Sequence, residues 1–250
     1  MAEPVYRPVI GFARGVFAFL GLKFDITGAD LVPRTGGGVV AMNHIGYLDF
    51  ALAGLAFRPH KRLVRFMAKK EVFDHKVSGP LMRGMKHIPV DREAGSGAFS
   101  AAVDALKAGE LVGVFPEATI SQSFELKEFK NGAVRMASDA GVPIIPVIVW
   151  GSQRVWTKGR PKALKRNHVP IRIIVGEPYT LTETDMTLAT KDLKARMQVM
   201  LDEARKTYRD RAEDGAWWMP AALGGTAPTL EAAEQADAEE RAARAARRAR

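Results

Sequence analysis

Apolar and polar positions along the chain switch repeatedly between two patterns. Short continuous apolar runs at 39–42, 65–68, 111–115, 143–150 and 171–175 read as buried strands, with a further strand at 85–90. Between them, residues 48–57, 98–108 and 129–140 read as helices. Gly109 and Gly141 stand where the last two of these need a left-handed C-terminal cap. Strands alternating with helices predict an α/β fold: a single layered domain with a mixed, largely parallel sheet flanked by helices.

The two ends of the chain follow other rules. The apolar run at 9–22 is 14 residues and contains Arg14. A membrane-spanning helix needs about 20 apolar residues, so this run is too short to span. Its aromatics Phe12, Phe17 and Phe19, with Arg7, Arg14 and Lys23 nearby, suit an amphipathic helix lying in a bilayer interface. An ordinary helix packed on a core fits the same segment. Glu3 and scattered charges argue against a cleavable signal. At the other end, residues 186–213 read as a helix rich in Lys, Arg and Asp. Beyond Leu230 large apolar residues are almost absent, and an Ala/Glu/Arg tract cannot bury a core. The expected division is an N-terminal membrane-interacting helix at 1–27, a core domain at 28–182 and a helical extension at 183–220. Residues 221–250 are expected to be disordered or a lone frayed helix.

Length and composition narrow this picture. The 250 residues suit one domain with appendages, and the absence of cysteine excludes a disulfide scaffold, a thiol nucleophile and cysteine-ligated metal sites. The net charge of +9 is concentrated: residues 58–92 and 151–172 each carry a net +7. Such windows are either solvated faces or an anion-binding surface for nucleic acid, membrane or phosphorylated ligands.

Four constellations carry candidate chemistry. In Asn43-His44-Ile45-Gly46-Tyr47-Leu48-Asp49, the histidine and aspartate would lie about 140° apart on one helix. They meet if His44 lies in a turn, eased by Gly46, and Asp49 opens the next helix. His44 would then serve as general base, with Asp49 fixing its tautomer. A surface histidine beside an unrelated aspartate fits the same spacing. In Ile88-Pro89-Val90-Asp91-Arg92, the arginine suits a bidentate phosphate contact or a local ion pair. In Phe115-Pro116-Glu117-Ala118-Thr119-Ile120-Ser121, Glu117 suits either an organising role or a turn cap. Lys130, in Phe129-Lys130-Asn131-Gly132-Ala133, falls at a predicted helix start, a position that favours anions, and Val142-Pro143-Ile144-Ile145-Pro146-Val147 reads as structural.

Taken in this order, and with Ala68-Lys69-Lys70-Glu71 between the first two, these segments resemble the lysophosphatidic-acid acyltransferase family, the glycerolipid acyltransferases built around His-x4-Asp. The resemblance covers about residues 28–180 and makes the core an acyltransferase domain. It implies that His44, aided by Asp49, deprotonates an acceptor hydroxyl, which attacks an acyl thioester on coenzyme A or acyl carrier protein. The absent thiol fits direct attack. Arg92 would hold the acceptor phosphate, with Lys69 as helper, while Glu117, Thr119 and Lys130 complete the substrate site. The acceptor would be lysophosphatidic acid and the product phosphatidic acid, made at the cytoplasmic face of a membrane by a peripheral protein. No metal, no cofactor and no nucleic-acid partner is expected. One departure stands out. The family usually has glycine at the position of Ala118 and arginine at that of Ile120. Lys130, Arg135 or Arg154 would have to replace that arginine, or the acceptor differs: glycerol 3-phosphate or another lysolipid or glycolipid. A noncatalytic membrane-binding relative is the remaining alternative.

Overall fold

The structure is a computed structural model and describes residues 3–91 and 97–248. Seven strands form one sheet: β1 (Lys23–Thr27), β2 (Gly38–Met42), β3 (Val64–Lys69), β4 (Ile88–Val90), β5 (Leu111–Val114), β6 (Ile144–Trp150) and β7 (Pro170–Val175), in the order β1-β7-β6-β2-β5-β3-β4. Strands β6, β2, β5, β3 and β4 run parallel, while β7 is antiparallel to β6 and carries β1 in parallel at the edge. The carboxyl ends of five strands therefore open onto one edge of the sheet, where parallel α/β folds place their sites. Strands β2, β5 and β6 are buried at every position, which is why they read as unbroken apolar runs.

Helices cover both faces. On one side α5 (Gly97–Lys107), α6 (Gly132–Ala140) and α7 (Met186–Lys206) bury Leu106, Val134, Leu193, Met197 and Leu201 against Ile144, Ile148 and Trp150. On the other, α1 (Tyr6–Leu20) and α2 (Asp49–Ala53) bury Phe17, Leu20 and Leu52 against Val40, Ile145 and Val149. Full burial of each large side chain contributes on the order of 1.5–3 kcal/mol. The two readings of α1 are compatible: Phe17 and Leu20 join the core, while Phe12 and Phe19 on the same helix are 75% and 66% exposed. Gly141 caps α6 in the left-handed conformation at φ 64°, as its position predicts.

Several expectations need correction. Strand β1 has no apolar run because it is an edge strand; Asp25 faces Arg172 of β7 and pairs with it at 3.0 Å. Between β3 and β4 lie two short helices, α3 (Lys70–Asp74) and α4 (Ser78–Gly84), too short and polar to show a period. Helix α7 stops at Lys206 instead of 213, because Tyr208 turns inward and donates to the Pro170 carbonyl at 2.6 Å. Beyond 220, where a disordered segment or a lone frayed helix is expected, the described residues form a helix that is not alone: α8 (Leu230–Arg248) lies against the domain with Ala233 and Asp237 buried. Charge, which a hydrophobic pattern does not register, holds it there.

Candidate active site

Strand β2 ends at Met42 and delivers Asn43 to the carboxyl edge. Asn43 is fully buried and clamps to β6 in both directions, donating to the Val149 carbonyl at 3.0 Å and accepting from its N–H at 2.7 Å. His44 follows, outside any helix, and Asp49 opens α2. The turn between them brings His44 Nδ1 to 3.0 Å from Asp49 Oδ2.

Asp49 is fully buried and its carboxylate is saturated. Oδ2 also accepts from the N–H groups of Ile45 at 2.7 Å and Gly46 at 2.8 Å, and Oδ1 accepts from the Ser152 hydroxyl. Such a carboxylate accepts the Nδ1 proton of a neutral imidazole, leaving Nε2 as the basic nitrogen. The imidazole stacks on Phe115 at 4.0 Å and its side chain stays 20% exposed. Gly46 serves a purpose other than the expected bend. A Cβ there would come within 2.9 Å of Ser152 Oγ and 3.1 Å of the Trp156 carbonyl, so only glycine lets the β6–β7 connection close over the loop.

Glu117 arrives from the end of β5. Its Oε1 accepts from the His44 N–H at 2.8 Å and its Oε2 from the Lys127 N–H at 3.1 Å. Burial pushes its pKa up to about 8, opposed by these two N–H groups and by the charge of Lys127. Both oxygens thus bond to backbone inside the protein, and Glu117 ties two loops together. The same turn gives the Ser121 N–H to the His44 carbonyl at 2.7 Å, and Ala118 adopts a left-handed φ of 61°, a conformation that explains a preference for glycine there. Ile120 is buried, so that side chain offers no polar group to a ligand.

The remaining expected residues divide. Lys69 ends β3 opposite Val90 of β4, at the same edge as His44. Arg92 lies outside the described residues. Lys130 is exposed and precedes α6, which begins at Gly132 rather than 129; its N–H donates to the Pro116 carbonyl. Of the arginines considered as replacements, Arg135 lies over Phe99, and Arg154 binds Asp210 at 2.6 Å and stacks on Trp218. Thr119 meets Lys127 and Asp237, a pair that no local pattern announces because Asp237 lies on α8. The two basic windows are also less open than a charge count implies. Arg65 is buried between Glu3 and Glu110, and Arg172, Arg154, Lys158 and Lys70 all pair with carboxylates.

A family model described as Acyltransferase matches residues 23–150, which span β1 to β6 and the whole His44–Asp49 and Glu117 arrangement. The chain belongs to the acyltransferase family. The acyltransferase is 30% identical over 187 residues to the 1-acyl-sn-glycerol-3-phosphate acyltransferase of Bacillus subtilis, covering 73% of this chain and 86% of that protein. It is 28% identical over 169 residues to the chloroplastic 1-acyl-sn-glycerol-3-phosphate acyltransferase BAT2 of Brassica napus, across 66% of this chain and 47% of that one. The crystal structure of the 1-acyl-sn-glycerophosphate acyltransferase PlsC from Thermotoga maritima shares the fold, with a TM-score of 0.68 at 22% identity over 82% of this chain and 81% of that one. The expected layered α/β domain is the fold of this acyltransferase.

Proposed function

We propose that the protein transfers a fatty acyl group from a thioester of coenzyme A or acyl carrier protein to the free hydroxyl of 1-acylglycerol 3-phosphate, forming phosphatidic acid. The observation that carries this is the saturated Asp49 carboxylate holding His44 Nδ1, in a chain 30% identical to a Bacillus subtilis enzyme of that name. His44 Nε2 takes the proton of the acceptor hydroxyl as its oxygen attacks the thioester carbonyl. The tetrahedral oxyanion collapses, the C–S bond breaks, and the imidazolium returns the proton to the thiolate. Asp49 stabilises the imidazolium in between. Glu117 acts as a positioning residue through the His44 N–H, Lys69 supplies a cation at the same edge, and Arg92 is assigned the acceptor phosphate on the family resemblance alone.

Both acceptor and product are lipids, and the surface beside the site suits a bilayer interface. Phe50 of α2 lines a cavity shared with Val9, Ile10 and Ala13 of α1, and Phe12 and Phe19 of α1, Phe50 of α2 and Tyr47 of the loop before it are exposed. No helix among the described residues is long and apolar enough to cross a membrane, and α1 lying in the interface accounts for attachment.

The test is turnover by the purified protein with labelled acyl-CoA and acyl carrier protein donors and a panel of acceptors: 1-acylglycerol 3-phosphate, glycerol 3-phosphate and other lysolipids. Acylation of 1-acylglycerol 3-phosphate in preference to the others is expected. Preference for another acceptor would transfer the reading to that lipid, as the buried Ile120 permits, and no turnover on any would overturn it.

A further inference from the structure

Beside the His44 loop, three side chains converge on one carboxylate. Asp237 of α8 receives Lys158 Nζ on Oδ1 at 2.6 Å and Lys127 Nζ on Oδ2, and the Thr119 hydroxyl lies 3.2 Å from Oδ2. Lys127 Nζ also donates to Thr119 Oγ1 at 2.5 Å, and Glu240 pairs with Lys158 at 2.5 Å. Lys127 and Asp237 are almost fully buried.

Both segments that supply the cluster are bonded to the site. Lys127 shares Glu117 with His44 through backbone N–H groups. Next to Lys158, Thr157 donates to the Ile45 carbonyl at 2.6 Å, and Trp156 accepts from the Tyr47 N–H at 2.9 Å. Thr119 belongs to the turn whose Ser121 holds the His44 carbonyl. Two ammonium groups and a hydroxyl thus meet on segments bonded to the His44 loop, and the chain's own C-terminal helix supplies the matching negative charge.

The docking of α8 is lightly built. Among its described side chains only Ala233 and Asp237 are buried, so apolar burial contributes little and ion pairs hold the helix. Its withdrawal would remove both Asp237 and Glu240 and leave two positive charges around Thr119. That charge matches a phosphate monoester dianion, which ammonium groups bind well.

We propose that Lys127, Lys158 and Thr119 form a subsite for the phosphate monoester of the acceptor, and that Asp237 occupies it as a resident competitor, so that α8 gates acceptor binding. The proposal rests on the acceptor reading above. It assigns the missing arginine's task to two lysines from elsewhere in the chain and gives the C-terminal helix a regulatory role.

The test compares the full chain with Asp237→Asn, Glu240→Gln and the double variant Asp237→Asn/Lys127→Met. Calorimetric titration with glycerol 3-phosphate, with inorganic phosphate in a parallel arm, reads the subsite without turnover. A helix closed about nine-tenths of the time would make Asp237→Asn bind about ten-fold tighter, because apparent affinity scales with the open fraction. The Lys127→Met addition should cancel the gain. Binding of inorganic phosphate alone, without glycerol 3-phosphate, would overturn assignment to the acceptor. In steady state, Asp237→Asn should lower KM for 1-acylglycerol 3-phosphate and leave KM for uncharged monoacylglycerol unchanged. Unchanged binding, or a raised KM, would make Asp237 a structural clamp and overturn the gate. Should Asp237→Asn fail to fold, Glu240→Gln must still tighten glycerol 3-phosphate binding, and its failure to do so would overturn the gate equally. If the wild type binds glycerol 3-phosphate yet acylates no phosphorylated acceptor, the acceptor reading fails while the subsite stands.

Discussion

His44 Nδ1 lies 3.0 Å from Oδ2 of Asp49, and that same oxygen accepts the N–H groups of Ile45 and Gly46. One buried carboxylate therefore shapes the loop and fixes the tautomer of the ring. The two tasks cannot be separated by mutation, and this governs what substitutions here should do.

Asp49→Asn keeps the size of the side chain but removes its charge. An amide NH2 turned toward the ring faces the Nδ1 proton, and one turned toward Ser152, whose hydroxyl can accept it, still leaves the imidazolium without its carboxylate. A fall in kcat of about 10³–10⁴-fold is expected, the scale of the equivalent change in a histidine–aspartate pair. Steady-state kinetics on the folded variant would check it. A loss confined to KM would count against the tautomer role.

Ser152 supports that carboxylate from the β6 side, and Gly46 supports it from the loop after β2. Ser152→Ala leaves buried Oδ1 without its hydroxyl and should destabilise by about 1–3 kcal/mol, measured by urea denaturation. Gly46→Ala pushes a Cβ to 2.9 Å from Ser152 Oγ, so the loop must shift. Its expected signature is a larger loss of kcat than of stability.

The buried strands were legible in the sequence because β2, β5 and β6 show as apolar runs. His44 and Asp49 stood out through the family resemblance, since five residues apart in one turn fits a surface histidine beside an unrelated aspartate equally well. What was not legible is the long-range polar bonding. Glu117 finds backbone N–H groups at His44 and Lys127, and a backbone donor has no side-chain signature. Asp237 meets Lys127 across 110 residues, and a charged pair leaves no periodic trace. Edge strand β1 lacks an apolar run, and the short helices α3 and α4 fall below the length at which a period can be read.

Glu117 links the site to pH. Its folded pKa of about 8 stands above the ordinary value of 4.5, so the unfolded chain ionises first as pH rises. The stability contributed by the neutral form is complete below pH 4.5 and is lost progressively as pH rises toward 8. Denaturation midpoints at pH 6.5 and pH 8 should fall for the wild type, and the slope should flatten in Glu117→Gln. Equal slopes in both proteins would contradict this.

His87 gives the opposite slope in acid. It is buried, accepts the Phe66 N–H on Nδ1 at 3.0 Å, and burial with help from Arg65 lowers its pKa to about 4. The unfolded chain takes up a proton below pH 6.5 that the folded one refuses until about pH 4. Stability should therefore drop across that window, by a few kcal/mol at most. His87→Gln, measured at pH 4.5 and 6.5, should show a smaller drop.

The central claim is that His44 is the base. Turnover of labelled acyl-CoA with the preferred acceptor by His44→Ala, with folding and liposome binding checked on the same preparation, tests it most directly. A loss of about 10²–10⁴-fold in kcat with both properties intact is expected, the range of a general base. A folded His44→Ala protein that turns over within a few-fold of wild type would contradict it.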